Sequence, residues 1–132
     1  LNRRKQIGKN IFLVLAILFL IGVIAQIFLA GLAIFASPVH WIKHITLIHL
    51  FGFNIPLFML LFAWMGAMPR WAYGAVFGLL TSVFAMYFTG NMAAKLPWIA
   101  ALHPVIAIVL FVIAFVVVIE TVKLISNKKG VK

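Results

Sequence analysis

Gly31-Leu-Ala-Ile-Phe-Ala-Ser-Pro38-Val-His-Trp-Ile-Lys-His44 and Gly90-Asn-Met-Ala-Ala-Lys-Leu-Pro97-Trp-Ile-Ala-Ala-Leu-His103 are the stretches that decide the fold. Glycine, proline and histidine recur in them 59 residues apart at identical spacing, and Phe28 falls in the register of the aromatic Tyr87. Each stretch leads from the end of one apolar segment, through a short break, into the next. A repeat of this kind reveals architecture before any local reading does. It predicts two helical hairpins packed as pseudo-equivalent halves, each carrying a histidine to the same depth.

Around the repeats lie four apolar runs, 11–35, 42–65, 71–92 and 98–125. Each exceeds the roughly 20 residues that carry a helix across a hydrocarbon core about 30 Å thick. Of the 132 residues 67% are hydrophobic and only twelve are charged, so the solvent of this chain is lipid. Helices satisfy their own backbone in lipid, and no period-two alternation points to a barrel. The connections Ser37-Pro38, Met68-Pro69-Arg70 and Lys95-Leu96-Pro97 are short, which forces consecutive helices to be antiparallel neighbours. The prediction is an all-α integral membrane four-helix bundle, up-down-up-down, forming a single domain over residues 1–132. The first run is about twice the length of a signal-peptide core and lacks an A-x-A site, so it reads as a retained span.

The charge is one-sided. Arg3, Arg4, Lys5 and Lys9 precede the first span, Arg70 lies between the second and third, and Lys123, Lys128, Lys129 and Lys132 follow the fourth. Only Lys43 and Lys95 belong to the other side. The positive-inside rule then puts both termini in the cytoplasm, across a bacterial cytoplasmic (inner) membrane. The formal charge of +10 serves anionic headgroups, because no aromatic-interleaved basic patch for nucleic acid exists.

Cysteine is absent, which excludes disulfides, thiol catalysis, iron–sulfur clusters and covalent heme attachment. Glu120 is the only acid, so no paired-carboxylate hydrolase can be assembled; its expected neighbour is Lys123 at i+3. Trp41, Trp64, Trp71 and Trp98 sit at predicted helix ends, where indoles anchor to headgroups. Gly74 and Gly78 form a small-x-x-x-small pair suited to close helix packing. Gln26 and Asn54 are expected to hydrogen-bond within the bundle, Asn54 to a carbonyl freed by Pro56.

Histidine carries the remaining chemistry: His40, His44, His49 and His103. An ionisable residue inside a span is costly and functional by default. His44 and His103 each lie six residues past their proline, roughly 9 Å along a helix, on spans that run the same way. Two imidazoles facing each other across a bundle supply both axial ligands of heme b. His103 is one expected iron ligand, and His44 or His49 the other. Phe28, Phe51, Phe53, Phe84 and Phe88 are the expected porphyrin walls.

Gln26-Ile-Phe-Leu-Ala-Gly-Leu and Ala101-Leu-His-Pro-Val-Ile-Ala resemble motifs of a small uncharacterised family of four-helix bacterial membrane proteins. They are also similar to one half of heme A synthase, whose second and fourth helices each contribute a heme-ligating histidine. The resemblance implies the fourth-helix role for His103. It implies the second-helix role for His44, by its spacing from Gly31, or for His49, by its followers Leu50-Phe51-Gly52. The Glu before and the Arg after the helix-two histidine of that enzyme are missing around His44. Heme binding for electron transfer or heme handling is therefore expected, rather than oxidation of a heme methyl group. Quinone or a membrane redox protein is the expected partner, and a homodimer would recreate the eight-helix plan. The alternatives are a Cu or Zn site built on His40 and His44 at i,i+4, and a cofactor-free assembly or accessory subunit.

Overall fold

The computed structural model describes the backbone of residues 2–130 and side chains as far as Asn127. The side chains of Lys128 and Lys129, and all of Lys132, lie outside the described residues. The elements are α1 (Arg3–Phe35), α2 (His40–Phe51), α3 (Asn54–Met65), α4 (Arg70–Gly90), α5 (Pro97–Ala100) and α6 (His103–Gly130). They make four spans long and apolar enough to cross a membrane: α1, α2 with α3, α4, and α5 with α6. The second packs on the first, the third on the second, and the fourth on both the third and the first. The result is a closed four-helix ring with short connections, as the brevity of the loops predicts.

Two spans are not continuous helices. Pro56 has no N–H for the carbonyl of Gly52, and the helix breaks at Gly52–Phe53. Asn54 covers part of the damage, its Nδ2 donating to the Leu50 carbonyl at 2.7 Å. In the same way Pro104 offers nothing to Ala100, and the chain turns at Ala101–Leu102 before α6 starts at His103. The first span starts well before the apolar run because the Asn2 side chain caps it, accepting the Arg4 N–H at 3.1 Å. At about 1.5 Å per residue its 33 residues reach roughly 50 Å, so the basic first turns rise clear of the hydrocarbon. There Arg4 lies over the Trp64 ring, 5.0 Å from its centroid.

The core is a set of stripes at three- and four-residue spacing. Phe12, Ala16, Phe19, Val23 and Gln26 face inward on α1, Met59 and Ala63 on α3. Ala72, Val76, Leu79 and Val83 do so on α4, and Leu110, Ala114, Val117 and Thr121 on α6. This three- and four-residue spacing is the one that packs helices side by side in bundles. α1 and the end of α3 come together closely, for a Cβ on Gly8 would stand 2.7 Å from the Gly66 Cα. Gly74 and Gly78 do not play that part: nothing lies within 4 Å of a Cβ on Gly74, and one on Gly78 meets Ile113 at an ordinary 3.5 Å. They line an outer groove between α4 and α6.

The turn after α3 shows how the tight contact constrains its neighbour. Met68 N–H donates to the Ala63 carbonyl at 2.9 Å and Ala67 N–H to that of Trp64 at 3.1 Å, a Schellman ending. Its left-handed position is Ala67, at φ 47°, where glycine is the usual residue. The glycine has gone one residue earlier, to Gly66, where a Cβ would meet the Lys9 N at 2.8 Å. Ala67→Gly is therefore expected to stabilise the bundle by about 1 kcal/mol, read as a higher thermal midpoint in detergent. An unchanged or lower midpoint would show that the αL strain is already relieved.

Candidate histidine site in the bundle

His44 projects from α2 and is half-buried. Its Nδ1 lies 3.0 Å from the Gln26 carbonyl of α1. A carbonyl only accepts, so Nδ1 carries the hydrogen and Nε2 of the neutral ring is left with its lone pair. His103, at the first position of α6, reaches the same state by a different route. Its Nδ1 lies 3.1 Å from Thr89 Oγ1. That hydroxyl spends its single hydrogen on the α4 carbonyls of Ala85 at 2.8 Å and Met86 at 3.3 Å. It must therefore accept from His103, and again Nε2 is free.

The repeat is legible in these bonds. Ala85 occupies the position of Gln26 in the second copy. His44 donates directly to the first carbonyl, while His103 donates to a threonine hydroxyl that itself bonds the second. The matching glycines differ more. Gly90 lets the His103 ring rest on the last turn of α4, where a Cβ would meet Cε1 at 3.3 Å; a Cβ on Gly31 would meet nothing within 4 Å. The two rings come together across the bundle, with centroids 6.5 Å apart and planes at 57°. Trp41 meets His44 edge-on at 5.6 Å, a contact beyond the headgroup role expected for it.

Both rings line a cavity of about 860 Å³, within the range that holds cofactors and other sizeable ligands. Its aromatic wall is made by Trp41, Phe51 and Tyr87. The expected wall differs: Phe28, Phe84 and Phe88 are at least half exposed on the outer surface, and Phe53 stacks on Tyr87. Gln26 is about nine-tenths buried against this cavity, and its side-chain Oε1 has no hydrogen-bond partner. The side chain expected to bond across helices thus leaves that work to its own backbone carbonyl.

His49 lines the same cavity but is turned to the third span. Its Nδ1 lies 2.9 Å from the Tyr87 hydroxyl, and the two rings stack at 5.4 Å. His40 keeps a buried Nδ1 without a partner. Among the described residues no group of three or more His, Cys, Asp and Glu is placed to hold a metal ion. Glu120 pairs with Lys123 at 3.1 Å, as its spacing predicts. It stands roughly 25 Å along α6 from His103. Thr89 was not singled out from sequence; a hydroxyl directly before the repeat glycine was the available signal.

A family described as a family of unknown function (DUF6220) matches residues 26–93. The chain belongs to this family. The matched residues take in Gln26, His44, His49, Tyr87 and Thr89, and stop short of His103. No curated protein and no solved structure matches the chain. The family match takes in the first motif of the uncharacterised-family resemblance, at 26–32, and not the second, at 101–107, while nothing in these comparisons links the chain to heme A synthase.

Proposed function

We propose that this DUF6220 chain is a membrane-embedded b-type heme-binding protein, in which His44 and His103 would hold the iron, with electron transfer or heme handling as its work. The observation that carries the reading is the matched pair of imidazoles. Each has Nδ1 held by an oxygen of a neighbouring helix, and each leaves Nε2 free. Ligating histidines are oriented by second bonds of this kind. The two rings approach each other across the bundle, their centroids 6.5 Å apart, and would be the residues to hold a metal centre bound between them. The adjoining cavity and its apolar lining fit a flat hydrophobic group. When bound, heme would supply a one-electron carrier. The protein's own residues hold the ring tautomers, through the Gln26 carbonyl and Thr89 Oγ1, and shield the site with Trp41 and Phe51. Protein purified from cells supplied with heme precursor is expected to show sharp, reducible Soret and alpha bands. A colourless preparation that also fails to take up added hemin overturns the reading.

The same reading places both termini in the cytoplasm and the histidines toward the opposite face of the membrane. Arg3, Arg4, Lys5, Arg70 and Lys123 are exposed at one end of the bundle, against Lys43 and Lys95 at the other. Cysteine introduced at Ser37 is expected to react with an impermeant thiol reagent in intact cells, and at Asn127 only after lysis. The reverse pattern would invert the orientation.

A further inference from the structure

We propose that the Tyr87–His49 pair is the docking point for the ring oxygen of a lipid-soluble quinone or quinol, the redox partner of the heme reading on which this inference rests. The pair is bonded at 2.9 Å between α2 and α4. Each group keeps unused capacity: His49 its Nε2, Tyr87 a second place on its hydroxyl. If the hydroxyl donates to Nδ1, then Nε2–H faces outward as a donor and the phenol oxygen as an acceptor. If Nδ1–H donates to the phenol, the outward roles exchange. One tautomer change therefore turns the outward imidazole nitrogen from donor to acceptor. A quinone carbonyl oxygen needs a donor and a quinol hydroxyl needs an acceptor, so the pair matches both states of that ligand.

Its location selects a ligand that arrives through lipid. His49 is nine residues into the second span, roughly 13 Å along the helix, yet it is exposed. An imidazole at that depth is costly while a ring nitrogen goes unbonded, and Tyr87 serves only Nδ1. The cavity beside it is open to hydrocarbon, because its lining residues Ile27 and Ile45 are each 52% exposed. A flat ring on an apolar tail has a route to it from the hydrocarbon. The stack of Tyr87 on Phe53, at 5.5 Å and 8°, fixes the direction of the phenol.

The test titrates full-length protein in nanodiscs with decylubiquinone, following tryptophan fluorescence, since Trp41 lines the cavity. Decylbenzene serves as a probe with the same tail and no oxygen, and protein is measured with and without heme. Saturable quenching by decylubiquinone is expected. Tyr87→Phe and His49→Phe should each weaken it about fivefold to tenfold, the scale of one lost hydrogen bond. Helical circular dichroism should stay unchanged in both variants. Equal affinity in wild type and Tyr87→Phe, or equal affinity for decylbenzene, overturns the inference and leaves Tyr87–His49 a bond between spans. Heme failure is read separately: quinone binding in a protein that takes no heme sinks the heme reading alone.

Discussion

His103→Ala is expected to lower bound heme at least tenfold and to abolish the low-spin spectrum of what remains. The substitution removes one of the two facing imidazoles proposed to hold the iron, and it does so at the start of a helix whose register Pro104 fixes independently. His44→Ala should behave alike. His49→Ala should keep the bis-histidine spectrum, because His49 is bonded to Tyr87 rather than facing His103. Thr89→Val is a finer probe: it leaves both imidazoles but removes the acceptor that holds the His103 tautomer. Loss of a second bond of this sort typically costs about 10–100-fold in affinity. Added imidazole should restore a low-spin spectrum in His103→Ala, which separates a lost ligand from a lost fold. An unchanged low-spin spectrum in His103→Ala would remove this residue from the site.

Gly8→Ala is expected to destabilise the bundle by about 3 kcal/mol. The added Cβ would meet backbone atoms of Met65 and Gly66, at 2.8 and 2.7 Å. Backbone cannot rotate aside as a side chain does, so α1 and α3 must separate and lose contact along the Phe12, Met59 and Ala63 stripe. Gly74→Ala is the matched control, as nothing lies within 4 Å of its Cβ. Thermal unfolding in detergent should show a large loss for the first and none for the second. Equal midpoints would mean that the α1–α3 contact is looser than its geometry.

The span count and connectivity were legible because lipid leaves a backbone few choices. A chain with one acid, four long apolar runs and prolines at 38, 69 and 97 has only one way to satisfy its N–H groups. The pseudo-repeat was legible too, and it located His44 and His103 at one level. Rotation of each helix was not legible. In a soluble helix the apolar stripe marks the core; here every face is apolar. Phe12 and Phe28 are the same residue on the same helix, yet one is fully buried and the other 64% exposed. That is why the expected porphyrin wall named Phe28, Phe84 and Phe88, and why Gly74 and Gly78 stood out ahead of Gly8 and Gly66.

The sequence alone determined four antiparallel spans, a charged end and two histidines at matching depth, because composition and spacing act directly on the partition between water and lipid. Which histidine faces His103 was decided by tertiary structure. His44 and His49 are five residues apart on one helix, and either sequence context could serve. Packing turns His44 onto the Gln26 carbonyl and His49 onto Tyr87. Those bonds exist only once the first and third spans have closed on the second, and no property local to residues 40–51 encodes them.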